Sequence, residues 1–163
     1  MSTPATNTPA TNTPATPPPE SRADYRHFQP ITTRWADNDA YGHVNNVVYY
    51  SYFDTAVNQH MIEKGVLAPD KGSAIALVVE TQCRYFMPIT FPDRVTVGVR
   101  VAHMGRSSVR YELALFRNDE DTPAAAGHYV HVYVDNATRR PTPIPEDVAA
   151  VLRTMVVAPG EGA

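Results

Sequence analysis

Apolar and polar residues alternate along several stretches in the second half of the chain. From Val95 to Val101 every second residue is a valine, and the residues between the valines are polar or small. A period of two over about seven residues is typical of a half-buried strand. Links as short as Met104-Gly105-Arg106 join such strands as antiparallel hairpins. The pattern predicts four antiparallel strands: Ala74–Phe86, Arg94–Met104, Ser107–Arg117 and Ala124–Asp135.

A fifth strand is predicted upstream of these four. The segment Phe28–Trp35 is rich in isoleucine, threonine and aromatic residues, a composition that favours strands. Because Pro30 has no N–H to donate to a neighbouring strand, this strand is expected at an edge of the sheet.

A long helix is predicted between the first strand and the other four. Val47 to Lys64 contains no glycine or proline, Asn45 or Asn46 supplies an N-cap, and Lys64-Gly65 is typical of a helix end. Apolar residues cover most of the helix circumference, which is typical of a buried helix that other elements wrap. They are Val47, Val48, Tyr49, Tyr50, Tyr52, Phe53, Ala56, Val57, Met61 and Ile62.

The chain ends with a short helix. Pro145 precedes two acidic residues, and apolar residues follow at helical spacing from Val148 to Met155. The predicted order is therefore strand, helix, four strands, helix. One long buried helix against a curved antiparallel sheet is an α+β arrangement.

Composition divides the 163 residues into one domain and two flanking segments. The first nineteen residues repeat a Thr-Pro-Ala-Thr-Asn unit and carry no charge or large apolar group, so they cannot bury enough surface to become ordered. We predict a disordered Thr/Pro/Ala-rich tail over residues 1–22, a domain over 23–157, and a flexible C-terminus over 158–163.

Charge and apolar content exclude several functional classes. A net charge of −3 argues against binding to nucleic acid or to an anionic membrane. No apolar run reaches the roughly 20 residues of a membrane helix, and the N-terminus lacks the features of a secretion signal. A single cysteine, Cys83, excludes an internal disulfide and a zinc site of several thiolates. We therefore expect a cytoplasmic protein.

The loop before the long helix is the densest polar cluster in the chain. Between Asp37 and Asn46 it contains two aspartates, three asparagines and His43. The N-terminus of a helix offers unpaired N–H groups, which can stabilise an oxyanion in acyl transfer, and a nearby carboxylate can attack a carbonyl or deprotonate water. This combination fits hydrolysis of an activated acyl group. The same residues also cap helices and shape turns, so a purely structural role is the alternative.

No metal or other cofactor is expected. The six histidines show no metal-ligand spacing, and no serine lies in a nucleophile-elbow setting. The stretch Asp37 to Gly42 begins like a calcium-binding loop, but Val48 stands where the closing bidentate glutamate is required.

The stretch from Arg34 to Asp54, RWADNDAYGHVNNVVYYSYFD, resembles the hotdog-fold thioesterases of the 4-hydroxybenzoyl-CoA thioesterase class. The later pieces Tyr85–Pro88, Asp93–Val97 and Met104–Ser108 are similar to the same family, and the resemblance spans residues 26–140. It implies the hotdog fold, in which a curved antiparallel sheet wraps a long central helix. It also implies a thioester hydrolase acting on acyl-CoA.

The resemblance implies a site at the start of the long helix. The catalytic carboxylate of the family falls on Asp39, which would act as general base or as nucleophile. The N–H that polarises the thioester carbonyl falls at Asn46. His43 would contact the thioester or order the loop, and Asp37 is assigned a structural role. Around His43 the chain is also similar to acyl-carrier-protein thioesterases, although Tyr41 replaces the asparagine of their catalytic set.

Further residues are implied to bind the substrate. Arg106, Ser107 and Ser108 are the first candidates for holding the phosphates of CoA, with Arg139 and Arg140 as the second choice. Tyr49 and the neighbouring aromatic residues of the helix would shape the acyl pocket. Hotdog subunits place this site between two chains, so the resemblance implies a homodimer or homotetramer. Two alternatives stay open: a thioesterase for acyl-carrier-protein substrates, and a non-catalytic acyl-CoA-binding module.

Overall fold

The computed structural model describes residues 20–67 and 73–157. The predicted tail up to residue 19 and the predicted flexible C-terminus over 158–163 lie outside the described residues. The helices and strands are β1 (His27–Ile31), α1 (Asn46–Glu63), β2 (Ala74–Tyr85), β3 (Val95–Met104), β4 (Ser108–Arg117), β5 (Ala125–Asp135) and α2 (Glu146–Thr154).

The five strands form one antiparallel sheet in the order β1-β3-β4-β5-β2, and α1 packs against one of its faces. The predicted α+β arrangement and its order of elements are confirmed. β1 lies at one edge of the sheet, as Pro30 indicated, and β2 lies at the other edge.

The core lies between α1, α2 and the sheet. The valine and leucine faces of β3 and β4, which the alternation identified, are buried. Burying one such side chain contributes about 1.5–3 kcal/mol to the free energy of folding. The sheet contributes Val95, Val97, Val99, Val101, Val109, Tyr111, Leu113 and Leu115, and the helices contribute Tyr49, Tyr52, Phe53, Ala56, Val57, Met61, Val148, Leu152 and Met155.

β5 turns its aromatic face, and not its valine face, toward the core. Tyr129 and Tyr133 belong to the core, whereas Val130 and Val132 are half-buried on the outer face. Tyr129 can be buried because its hydroxyl donates a hydrogen bond to the Tyr50 carbonyl at 2.7 Å. A ring with a satisfied polar tip removes more apolar area from water than a valine does.

The first strand is shorter than the sequence predicted. β1 ends at Ile31, not at Trp35, because Ile31 pairs with Val95, the first residue of β3. Beyond that point no strand remains to pair with. The chain turns away instead, with the Thr33 hydroxyl bonded to the Asp93 carbonyl and a short 3₁₀ turn at Trp35–Asp37.

α1 is not wrapped on all sides by its own chain, which corrects the prediction of a helix buried all round. Val47 and Ile62 are 63% and 57% exposed, because the sheet covers only one side of the helix. β2 is exposed as well, with Val79 at 60%. Apolar surface of this kind on a helix and an edge strand is typical of a protein–protein contact.

The N-terminal segment of the described chain covers part of the outer face of the sheet. Tyr25 packs over Gly98, where an added Cβ would lie 2.8 Å from the tyrosine ring, so only glycine fits. The Arg22 guanidinium lies 4.6 Å above the ring of Phe116, and the Glu20 carboxylate accepts a hydrogen bond from the Tyr25 hydroxyl. Positions 20 and 22, which composition assigned to the tail, thus contact the domain through charged groups that the tail repeat lacks.

Two histidines face each other between β1 and α1. The rings of His27 and His60 lie 3.9 Å apart, and among the described residues none bonds either nitrogen of His60. Burial, followed by the proximity of His27 and Lys64, lowers the pKa of His60 to about 4, which Glu63 only partly opposes. Burial also lowers the pKa of His27. Both rings are therefore neutral at pH 7.

We expect His60 to make the fold sensitive to acid. The pKa of His60 in the folded chain lies below the unfolded value of 6.5. The contribution of His60 to the unfolding free energy is therefore fully present above pH 6.5 and is lost as the pH falls toward 4, because the unfolded chain binds the proton first. Between pH 7 and about 4.5 the His60→Leu variant should lose less unfolding free energy than the parent chain, by on the order of 2 kcal/mol. Urea denaturation at both pH values measures this, with the exposed His103→Leu as control. Equal losses in all three proteins would contradict it.

Candidate active site

The loop between β1 and α1 directs three consecutive polar side chains into three different surroundings. Asp37, the first of them, is 1% exposed. Its Oδ1 accepts hydrogen bonds from Arg34 Nε and Nη2 at 3.0 and 2.7 Å, and its Oδ2 accepts from the Tyr52 hydroxyl at 2.7 Å. Burial alone would raise the pKa of Asp37, but the bonds from Arg34 and Tyr52 outweigh it and lower the pKa. Asp37 is thus an ionised link between the loop and α1.

Asn38 and Asp39 serve other contacts. The Asn38 side-chain oxygen accepts from the Phe91 N–H at 3.1 Å, which ties the loop to the segment before β3. Oδ1 of Asp39 accepts from the N–H groups of Tyr41 and His43 at 2.8 and 3.4 Å. Among the described residues none donates to Oδ2 of Asp39. The carboxylate is half-buried, with one oxygen holding the turn and the other available to a ligand.

His43 orders the loop through its backbone. Its carbonyl accepts from the Asp39 N–H at 2.7 Å, while its side chain is exposed. The next residue, Val44, is buried and donates its N–H to the Ile89 carbonyl at 2.7 Å. These backbone bonds fix the loop, while the His43 imidazole lies in solvent.

The start of α1 leaves one backbone donor unused. Asn45 is the N-cap, as predicted, and its side-chain oxygen accepts from the Val47 N–H at 3.2 Å. The Asn45 carbonyl accepts from the Val48 N–H at 2.9 Å. Within residues 20–67 and 73–157 no group accepts a hydrogen bond from the Asn46 N–H. Such a donor at the positive end of a helix is suited to bind a carbonyl oxygen that becomes negative.

Tyr85, at the end of β2, is a neighbour of this donor that the sequence reasoning did not single out. Its hydroxyl donates to the Asn46 carbonyl at 3.1 Å, and its ring meets the edge of Tyr49 at a centroid distance of 5.0 Å. Tyr49 is 3% exposed and so packs in the core, whereas Tyr85 is 43% exposed. The role predicted for Tyr49, shaping the acyl pocket, stays a prediction, because in the single chain its ring is covered by the core and by Tyr85. The only signal for Tyr85 was its place in the Tyr85–Pro88 stretch.

The candidates for phosphate binding lie together, but at the other end of the sheet. The Arg106 and Ser107 carbonyls accept from the N–H groups of Ile144 and Tyr133 at 2.9 and 2.7 Å, which fixes the β3–β4 hairpin and leaves the Arg106 side chain exposed. Arg139 lies in the neighbouring turn after β5, with a φ of 59°.

The length of β3 separates these residues from Asp39. β3 starts opposite Ile31, where the chain leaves for the candidate site, and ends at the hairpin nine residues later, about 30 Å away. One chain therefore does not bring Asp39 together with Arg106, Ser107, Ser108, Arg139 or Arg140.

Two surface grooves of the chain lie away from Asp39 and Asn46. One, of about 120 Å³, runs along the outer face of the sheet beside Arg84 and His128. The other, of about 460 Å³, lies between the end of β1 and the start of β3. Neither groove is lined by Asp39 or Asn46.

The described residues contain neither a metal-binding cluster nor a membrane-spanning helix. No group of three or more histidine, cysteine, aspartate or glutamate side chains in this part of the chain is arranged to hold a metal ion. None of its helices has the length and apolar content required to cross a membrane.

Comparison with known proteins identifies relatives over most of the chain. Residues 33–152 match the family model described as the thioesterase-like superfamily. The crystal structure of the PA5185 protein from Pseudomonas aeruginosa is 50% identical, covers 85% of this chain and 97% of its own, and superposes with a TM-score of 0.82. A 1,4-dihydroxy-2-naphthoyl-CoA hydrolase from Synechococcus elongatus is 29% identical over 132 residues, 76% of this chain and 91% of its own.

A thioesterase from Thermus thermophilus, solved in complex with coenzyme A and zinc, is 32% identical to this chain. It covers 81% of this chain and 95% of its own, with a TM-score of 0.67. The family model, which matches residues 33–152, includes the loop, the start of α1 and the candidates for phosphate binding.

Proposed function

Because the chain belongs to the thioesterase-like superfamily and is a thioester hydrolase with the hotdog fold, we propose that it hydrolyses acyl-CoA thioesters at the start of α1. The observation that carries the proposal is that, among the described residues, none bonds the Asn46 N–H or the second carboxylate oxygen of Asp39, and these two groups lie at the two ends of one loop. The choice of CoA is supported by the relative named as a CoA hydrolase and by the relative solved with coenzyme A.

In the proposed reaction the thioester carbonyl oxygen accepts a hydrogen bond from the Asn46 N–H. Asp39 takes a proton from water while the water oxygen attacks the carbonyl carbon. The C–S bond then breaks, the electron pair leaves with sulfur, and the proton passes from Asp39 to the thiolate. An oxyanion donor of this kind is typically worth about 2.7–4 kcal/mol.

The alternative role for Asp39 is that of nucleophile. Its carboxylate oxygen would form a bond to the acyl carbon as the thiolate leaves, and water would then hydrolyse the mixed anhydride. Mass spectrometry of the protein after rapid acid quench of a single turnover distinguishes the two routes. The nucleophilic route adds the mass of the acyl group to Asp39, whereas general-base catalysis forms no covalent adduct.

We further propose that a second copy of the chain completes the site. β2 is a twelve-residue edge strand that is exposed along most of its length. Its Tyr85 end lies beside the start of α1, and its Ala74 end pairs with Asp135, next to Arg139. If two β2 strands pair antiparallel about a two-fold axis, Asp39 of one chain approaches Arg106 and Arg139 of the partner chain. This arrangement would bring together the two groups that one chain holds apart.

Hybrid dimers test the shared site. Asp39→Asn should remove catalysis, and Arg106→Ala should raise KM about tenfold by removing a charge-assisted phosphate contact. A dimer with one chain of each variant, purified through two tags, would hold one site with both defects and one intact site. We expect it to recover about half of the wild-type kcat/KM. A hybrid no more active than the mean of its parents would contradict a site shared between chains.

A panel of thioesters tests the function itself. We expect free thiol to be released from at least one class of acyl-CoA, among straight-chain, branched and aromatic acyl groups, with the same acyl groups on acyl carrier protein as the comparison. If the carrier-protein substrates are hydrolysed faster than the CoA substrates, acyl carrier protein and not CoA is the natural carrier of the acyl group. Binding of acyl-CoA without thiol release from any substrate would make the chain a binding module and overturn the proposal.

A further inference from the structure

Asp37 joins the two ends of the loop that holds Asp39. Besides the contacts to its carboxylate, its backbone carbonyl accepts the N–H of Asn45, the N-cap of α1, at 2.8 Å. Its side chain is fixed from the β1 side by Arg34 and from the helix side by Tyr52, which lies fifteen positions along the chain. One buried residue thus fixes where the loop begins and where the helix begins.

Both oxygens of the Asp37 carboxylate are occupied by hydrogen bonds. Its two oxygens accept four hydrogen bonds, including one from the Arg34 N–H at 2.8 Å. An asparagine at this position would keep the shape but offer only one acceptor oxygen, and its amide would face the donors of Arg34 and Tyr52. The loop would therefore have to shift by part of a bond length to separate these groups.

We propose that Asp37 is a positioning residue that sets the distance between the Asp39 carboxylate and the Asn46 N–H. The inference rests on the proposed function, since it concerns the same site, and it assigns the buried aspartate a role beyond stability. Asp37 contacts neither substrate nor water in the reaction. It acts through Asp39, two residues away, and through Asn45, which precedes the donor. Displacements of about 1 Å in catalytic groups can lower rates about a hundredfold.

Two substitutions weaken this link without emptying the core. Asp37→Asn is expected to lower kcat by about ten- to a hundredfold with KM changed less than twofold, since the interaction matters in the transition state. Tyr52→Phe removes only the helix-side hydroxyl and should lower kcat by about threefold to tenfold. Tyr25→Phe is the matched control. It removes a tyrosine–carboxylate hydrogen bond on the outer face of the sheet and should leave kcat unchanged.

A double-mutant cycle separates positioning from mere stabilisation. If Asp37 acts through Asp39 and the Asn46 donor, adding Asp37→Asn to Asp39→Asn should lower the residual kcat by much less than Asp37→Asn lowers the wild-type kcat. All variants are assayed at 20 °C after circular dichroism confirms that they are folded. The inference is overturned if the loss of kcat in the double variant equals the product of the two single losses. It is also overturned if folded Asp37→Asn and Tyr52→Phe both keep the wild-type kcat. If Asp39→Asn itself keeps wild-type activity, it is the proposed mechanism that fails.

Discussion

Asp39→Asn should lower kcat for acyl-CoA hydrolysis by about a hundredfold to ten-thousandfold, the usual contribution of a general base. An asparagine oxygen can still accept from the N–H groups of Tyr41 and His43, so the turn is expected to persist. What the variant lacks is an oxygen able to take a proton or to attack the acyl carbon. KM should change little, because the Asn46 N–H and the contacts to CoA remain. Steady-state thiol release at saturating substrate measures the change.

Asp93→Asn is the matched control for this experiment. Asp93 also lies in a loop and accepts a backbone N–H through its carboxylate, from Thr90 at 2.9 Å. It has no place in the proposed reaction, so kcat should stay within about twofold of the wild-type value. If Asp39→Asn kept as much activity as this control, Asp39 would only shape the turn.

Gly127→Ala should be the most damaging small change to the fold. Gly127 lies in β5 opposite Cys83 of β2, and a Cβ at this position would lie 2.0 Å from the Gln82 carbonyl oxygen. The obstructing atom belongs to the backbone, so no side-chain rotation relieves the clash and the strands must separate locally. We expect a loss of about 3 kcal/mol in unfolding free energy, or about 10 °C in Tm. Urea denaturation measures the loss.

Gly105→Ala is the control for this substitution. A Cβ on Gly105 would lie 3.1 Å from the Ser108 hydroxyl, which can rotate away, so the loss should stay below about 1 kcal/mol. The Gly127 variant should also associate less well, because β2 is the edge proposed to pair with a second chain. Equal and small losses in the two variants would show that β2 and β5 leave room for a methyl group between Gly127 and Gln82.

The sequence predicts most of the fold because the alternation in β3 and β4 has one physical cause. One face of each strand meets α1 and the other does not, so a period of two identifies the buried face directly. β5 shows where hydrophobicity misleads. Its tyrosines enter the core because their hydroxyls find partners there, and those partners are set by the tertiary structure. The length of β1 is likewise decided by where β3 begins.

The helix α1 shows a different limit of sequence reasoning. Val47 and Ile62 make it apolar nearly all round, yet one chain covers only one side. A sequence pattern predicts which positions of a helix are covered, but it does not show whether the same chain or another chain covers them. The same holds for the candidate site. Asp39 and Asn46 lie close together in sequence and at the same loop, so one local stretch predicts both. The hairpin of Arg106 is distant in the chain, and we propose that it reaches the site from a second copy.

The link between Asp37 and Tyr52 could not be predicted from the sequence. Asp37 and Asp39 are the same residue type in the same polar loop, so the sequence does not show which of the two is buried. The difference arises because the loop turns back on α1, so that Asp37 meets a tyrosine from the second turn of the helix while Asp39 remains half-buried. The sequence alone gives the residue types at the site, and the path of the backbone gives them separate roles.

A crystal structure with a bound substrate analogue would show the chemistry at the helix start most directly. In a suitable analogue, a methylene group separates the acyl carbonyl from the sulfur of CoA, so the carbonyl is kept and no thiolate can leave. We expect the carbonyl oxygen about 3 Å from the Asn46 nitrogen, the free oxygen of Asp39 facing the carbonyl carbon, and the phosphates beside Arg106 of the partner chain. An acyl carbonyl bound elsewhere, with Asp39 still bonded only to its own turn, would contradict the account.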